Sequence, residues 1–226
     1  MHDYWQLAIF DCDGVLVDSE TITHRVLAEA LGELGLHLTV DEAVALFMGN
    51  TLAQTIAIIE ARLGRALPEG FFPAWREHLY ATLRAAPVRA VAGVEEVLDT
   101  LTMPVCVVSN GPLRKMRTTL EVTGLLARFE GRLFSPDSGL PGKPHPDLFL
   151  AAAETFAAES ARTVVVEDSP AGVRGAIAAG MRVYGYAGAA HTNAADLAAA
   201  GAHVFTDMRE LPALLANVDR RRIDRR

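Results

Sequence analysis

Three short apolar runs constrain this chain more than any other feature. Leu7 to Phe10, Val105 to Val108 and Thr163 to Val166 are each one strand long and almost wholly apolar. A strand with no polar alternation must be buried on both faces, as in a parallel sheet covered by helices. Between and after the runs the spacing predicts helices over 94–101, 114–122, 147–158 and 170–179. Leu133-Phe134 reads as a brief extended piece, and Val183 to Tyr186, His203 to Phe205 and a helix over 211–215 continue the alternation. The expected class is α/β, a Rossmann-like parallel sheet with helices on both faces. Such sheets bind ligands beyond the carboxyl ends of their strands. Here the three runs end in polar clusters, Asp11-Cys12-Asp13, Ser109-Asn110 and Glu167-Asp168. If the strands are neighbours, the clusters meet on one edge.

Residues 21–87 have another character. Ile22, Val26, Leu27, Ala30, Leu31 and Leu34 fall at helical spacing, and Gly35 ends that helix. Thr39 or Asp41 opens a second helix, 51–63 forms a third and 68–86 a fourth. The expectation is an all-helical domain, 19–92, inserted into a catalytic core made of 1–18 and 93–226.

With 226 residues, half of them apolar, the chain is long enough for a sizeable core and a small satellite. A net charge of −7 with signs mixed along the chain argues against nucleic acid or an anionic membrane as partner. No apolar run approaches the ~18 residues of a membrane span. Both cysteines, Cys12 and Cys106, sit in apolar runs and read as buried thiols in a reducing compartment. The N-terminal Met-His-Asp-Tyr-Trp lacks a basic leader, and the basic stretch 219–226 reads as a solvated tail. The expectation is a cytoplasmic protein, monomeric or a weak homodimer.

Side chains alternate along a strand, so Asp11 and Asp13 point the same way. Two carboxylates there repel unless a divalent cation lies between them. Gly14 lets the chain leave the strand in a conformation that a side chain obstructs. An aspartate at a strand end is also an ordinary turn former, and Ser109, Asp168 or Ser169 are ordinary helix caps, with Pro170 at a first helical position. Capping leaves unexplained why a buried strand ends in two acids. Asp11, Glu167 and Asp168 with the carbonyl of Asp13 make a hard oxygen set suited to Mg²⁺. Asp11 is then a candidate nucleophile. Asp13 is the candidate acid/base, giving a proton to the leaving alcohol and later activating water. Ser109 and the Asn110 amide are candidates for holding phosphoryl oxygens. Only two of the 21 Lys and Arg residues are lysine, Lys115 and Lys143. Lys143, between Gly142 and Pro144, is a compact ammonium where a forked guanidinium would not fit, and it is the candidate for neutralising phosphoryl charge. His24, His145 and His191 have no assigned role.

The string Phe10 to Glu20, F-D-C-D-G-V-L-V-D-S-E, resembles the first motif of the haloacid dehalogenase-like (HAD) phosphohydrolases. Ser109-Asn110, Lys143-Pro144 and Glu167-Asp168 resemble the other three motifs, in order, so the resemblance covers essentially the whole chain. The insert resembles the helical cap of the subfamily containing β-phosphoglucomutase and phosphoglycolate phosphatase. Residues 104–112 with Lys115-Met116, Leu133-Phe134-Ser135 and Ala179-Gly180-Met181 resemble strings of the bacterial 6-phosphogluconate phosphatase type. The resemblance implies Mg²⁺, an aspartyl-phosphate intermediate, Gly111 in the phosphate loop and a cap that closes over a small phosphorylated substrate. It places Asn50, within Gly49-Asn50-Thr51, in a cap loop facing the substrate. Arg76 is a candidate for a second anionic group, or else part of a solvated helix face. The implied activity is phosphatase action on a sugar phosphate or a sugar-acid phosphate such as 6-phosphogluconate; the alternative is a β-phosphoglucomutase-like phosphomutase. Mutases usually carry histidine where Thr23 aligns and arginine where Leu52 aligns, which favours hydrolysis. Dehalogenases lack the second acid, Asp13. Phosphonoacetaldehyde hydrolases need a cap lysine, and residues 19–92 contain none. A non-catalytic binding module would be expected to have lost Asp11, Asp13 or Lys143.

Overall fold

The computed structural model of the protein describes residues 4–48, 50, 52–189 and 192–216. Gly49, Thr51, His191 and the basic stretch 219–226 lie outside the described residues. The strands are β1 (Leu7–Phe10), β2 (Val17–Asp18), β3 (Arg89–Ala90), β4 (Val105–Val108), β5 (Leu133–Phe134), β6 (Thr163–Glu167), β7 (Arg182–Tyr186) and β8 (His203–Phe205). The helices are α1 (Glu20–Glu33), α2 (Val40–Phe47), α3 (Leu52–Leu63), α4 (Phe71–Ala85), α5 (Val94–Thr100), α6 (Leu113–Val122), α7 (Leu126–Phe129), α8 (Asp147–Thr155), α9 (Pro170–Ala178) and α10 (Ala194–Ala199).

Six strands form one parallel sheet in the order β5-β4-β1-β6-β7-β8. The order reverses at β1, which is hydrogen-bonded to β4 on one side and β6 on the other. Phe10 pairs with Val107 and Val166, so the carboxyl ends of these three strands lie level. The alternation of β1 builds the core. Ala8 and Phe10 face one layer with Val97, Met116, Leu120 and Phe129, while Leu7 and Ile9 face the other with Leu148, Phe149, Val173 and Ala176. Each of the larger side chains, fully buried, is worth about 1.5–3 kcal/mol relative to exposure. The helices therefore dock through apolar area, not through propensity.

Contacts divide the chain into two compact units, Met1–Asp18 with Arg89–Arg226, and Ser19–Val88. The helical unit ends at Val88, where the sequence predicted residue 92. Arg89–Ala90 pair antiparallel with Val17–Asp18, and this two-residue ribbon holds the returning chain to the core unit. Sequence periodicity misses it because two residues are too few to show a period. Within the helical unit, Leu27, Ala28 and Leu31 of α1 pack with Ala43 and Phe47 of α2, Ile59 of α3 and Phe72 of α4. Thr39 opens α2 through a reciprocal capping box with Glu42. Among the described residues no helix is long and apolar enough to cross a membrane.

Cys12 and Cys106 are fully buried, and burial pushes both thiols above the ordinary cysteine range. The thiolate is the reactive form. A disulfide reagent should therefore titrate neither thiol in the native protein within minutes and both in denaturant. Rapid native labelling would contradict the packing of β1 and β4.

Candidate active site

The acids follow from where the strands stop. The amide of Asp11 donates to Val166 O at 2.9 Å, the last ladder bond before the chain turns. Leu16 and Val17 then both donate to Cys12 O, and Gly14 donates to Val17 O. This tight loop needs a positive φ of 81° at Gly14. A Cβ at Gly14 would stand 2.0 Å from Asp168 Oδ2, so the Asp168 carboxylate lies against the bare backbone of the loop.

Lys143 is buried between two of the acids. Its Nζ donates to Asp11 Oδ1 and to Glu167 Oε1. Burial disfavours the ammonium, but the Asp11 and Glu167 carboxylates more than offset it and hold Lys143 above the usual lysine range. Burial pushes the Asp11 carboxyl up to about 7, with the Lys143 ammonium opposing the rise and the Glu167 carboxylate adding to it. Two acids share one ammonium in this buried cluster, an arrangement that favours a further cation or a polarised electrophile beside them.

Glu167, a candidate metal ligand, is held by the chain on both oxygens: its Oε2 accepts from the amides of Asp168 and Ser169 and from Ser169 Oγ, at 2.9–3.0 Å, while Oε1 takes Lys143. Both oxygens are thus engaged by donors of the chain. A Cβ at Gly172, in the first turn of α9, would stand 1.8 Å from Oε1. Only glycine leaves room for the carboxylate there, and Ser169 caps α9 by accepting from the Gly172 amide at 3.1 Å.

Ser109 is buried at the end of β4, and its Oγ accepts from the Gly111 amide at 3.1 Å. The Asn110 side chain grips the backbone of Lys143 from both sides. Its Nδ2 donates to Lys143 O at 3.0 Å, and its Oδ1 accepts from Lys143 N at 2.7 Å. The side-chain amide therefore positions the lysine, which leaves the backbone amide as the Asn110 group for phosphoryl oxygens. Ser135 Oγ steadies the same loop by donating to Gly111 O at 2.9 Å. Asp13 sits beside Lys115, with Nζ 3.0 Å from Oδ2 and each side chain 11% exposed. The scarcity of lysine that singles out Lys143 applies equally to Lys115, but the sequence offers no signal that pairs it with Asp13. In the helical unit, Asn50 is exposed and its Nδ2 donates to Leu46 O at 2.8 Å; Arg76 is half-buried on α4.

Among the described residues no group of three or more His, Cys, Asp or Glu side chains is spaced to hold a metal ion by itself. The candidate oxygen donors for a cation are the carboxylates of Asp11 and Asp168 and the carbonyl of Asp13, with Glu167 Oε1, shared with Lys143 Nζ, beside them. That set suits Mg²⁺, which is commonly held by one or two carboxylates with waters and a phosphate oxygen rather than by an all-protein cage. The loop that a Cβ on Gly14 would fill fits the same purpose, because it keeps the Asp168 carboxylate close to the turn.

The strand order reverses at β1, and acids, a serine and a buried lysine gather at its carboxyl edge, where open α/β sheets bind their ligands. The sequence profile of the haloacid dehalogenase-like hydrolases matches residues 5–180, and the chain belongs to that family. It is 32% identical over 213 residues to the 6-phosphogluconate phosphatase of Escherichia coli K12, covering 92% of this chain and 94% of that protein. A haloacid dehalogenase-like protein of unknown function from Agrobacterium tumefaciens superposes with a TM-score of 0.83 at 37% identity, covering 95% of this chain and 99% of the other. A HAD-family hydrolase of Deinococcus radiodurans R1, with bound phosphate and sodium, superposes with a TM-score of 0.78 at 32% identity, covering 94% and 96%.

Proposed function

We propose that the protein is a Mg²⁺-dependent phosphatase of small phosphorylated sugars or sugar acids, of which 6-phosphogluconate is the first candidate. The reading rests on one observation above all, the Lys143 ammonium buried against the Asp11 carboxylate at the sheet's switch point. Asp11 Oδ attacks phosphorus as the alcohol leaves, and Asp13 supplies the proton to the leaving oxygen. Asp13 then takes a proton from the water that cleaves the aspartyl-phosphate. Lys143 and the donors at Ser109, Asn110 and Gly111 hold the charge that develops on the phosphoryl oxygens. Mg²⁺ held by Asp11, Glu167, Asp168 and the Asp13 carbonyl would supply positive charge to the same oxygens. Asn50 and Arg76 are assigned to recognition of the remainder of the substrate, Arg76 to a second anionic group. Residues outside the core unit would then set selectivity without touching the chemistry.

The test is phosphate release from a panel containing 6-phosphogluconate, phosphoglycolate, hexose phosphates and β-glucose 1-phosphate. Release with Mg²⁺, lost in EDTA and restored by added Mg²⁺, is the expected result. Undiminished release in EDTA would remove the metal from the reading. Conversion of β-glucose 1-phosphate to its isomer, without net release of phosphate, would make the protein a mutase.

A further inference from the structure

We propose that Lys115 is a positioning residue for the second half of the reaction. It holds the Asp13 carboxylate as the base that activates water against the aspartyl-phosphate, and so commits the protein to hydrolysis. The inference rests on the reading of Asp11 and Asp13 given above.

The stability of α6 does not account for Lys115. It is the third residue of that helix, and the first turn contains no acid. A cation there faces the positive end of the helix dipole, which disfavours it. Nor is it a solvated surface lysine, since only 11% of the side chain is exposed. Burying an ammonium to that degree requires a partner, and Asp13 Oδ2 is such a partner at 3.0 Å. The chain uses arginine at 19 positions and lysine at two. Both lysines end on the candidate catalytic aspartates, Lys143 on Asp11 and Lys115 on Asp13. A Cβ at Gly111 would stand 3.4 Å from Ser109 Oγ, 3.7 Å from Asp13 Oδ2 and 4.0 Å from Lys115 Cδ. The pair therefore shares one small space with the loop that would hold the phosphoryl group.

An ammonium at this distance pins the Asp13 carboxylate in one place and limits its rotation. That arrangement serves the second step. A water lone pair forms the new O–P bond, the P–O bond to Asp11 breaks, and its electron pair returns to the Asp11 carboxylate. The proton lost by the water passes to Asp13. A long-lived aspartyl-phosphate, which a mutase requires, is the state that a firmly held base removes.

Lys115→Met, assayed with Mg²⁺ and p-nitrophenyl phosphate, separates the two steps, because this leaving group departs without a proton. The expected result is a fall in kcat of about 10–100-fold, a part of the usual general-base contribution. The apparent KM should fall with it, leaving kcat/KM within about threefold of wild type, because kcat/KM reports only the formation of the intermediate. Acid-quenched Lys115→Met should contain more phosphorylated chain by intact mass than the wild type, with a pre-steady-state burst of nitrophenol. Lys115→Arg, which keeps the ion pair, should recover most of kcat. Equal losses in kcat and kcat/KM without phosphoenzyme, or no loss in kcat, would overturn the proposal. If Lys115→Met misfolds by circular dichroism, Lys115→Gln is judged by the same criteria. Asp11→Asn separates this idea from the one beneath it. Activity retained in Asp11→Asn sinks the aspartyl-phosphate reading itself, whereas an inactive Asp11→Asn beside a Lys115→Met with no accumulated phosphoenzyme sinks only the role of Lys115.

Discussion

Asp11→Asn should lower phosphate release by at least about 10⁴-fold, a loss typical of removing a covalent nucleophile, while leaving the fold intact. The amide is nearly isosteric with the carboxylate, and its amide nitrogen cannot attack phosphorus. The fold tolerates the change because burial already disfavours the Asp11 charge, pushing its carboxyl up to about 7. Removing that charge relieves desolvation as it weakens the contact with Lys143, so the two effects oppose each other. The variant's stability should stay within about 1–2 kcal/mol of wild type. Steady-state phosphate release together with thermal unfolding checks both halves. More than trace activity would end the nucleophile assignment, and collapse of the fold would end the account of its electrostatics.

Lys143→Met should harm both activity and stability. It leaves Asp11 and Glu167 facing each other in a buried site with no cation between them. Breaking a buried ion pair from one side costs about 3–5 kcal/mol, moderated here because Asp11 can protonate. For a chain of this size the expected drop in Tm is about 6–20 °C. Turnover should fall by at least about 10²-fold, the scale for losing one preorganised charge at a developing anion. Lys143→Arg should rescue neither, because the site is closed by Phe149, whose ring centroid lies 5.6 Å from Nζ, and offers two single acceptors rather than a fork. Differential scanning calorimetry and kcat on the same samples decide the matter. An unchanged Tm would show that the cluster is not the electrostatic unit described.

Much of the fold is legible in the sequence because its signals are local. The buried strands announce themselves by apolar runs, and α2 and α9 by their caps Thr39 and Ser169. The parallel sheet follows from the alternation of strand and helix. The compact helical unit stops at Val88 rather than at residue 92 because a two-residue ribbon, Val17–Asp18 with Arg89–Ala90, which has no period to read, joins the returning chain to the core unit. The helix α10 went unpredicted although Asn193 caps it, because its short stretch of alanines carries no apolar stripe.

The sequence alone determines which chemical groups stand at the ends of the strands, since an apolar run must stop where its first acid or hydroxyl begins. It also determines that lysine is rare enough for each one to carry meaning. Tertiary structure alone decides which acid receives which cation. Lys143 reaches Asp11 across 132 positions and Glu167 across 24, and both meetings depend on the order β4-β1-β6. Tertiary structure likewise brings Ser169 and Lys143 to Glu167, turns the Asn110 side chain onto the lysine backbone, and brings Lys115 to Asp13. Local periodicity carries no information about these pairings, because they are set by the register of neighbouring strands and by the helices that follow them. A buried ion pair offsets its desolvation cost only where the fold fixes both partners in good geometry.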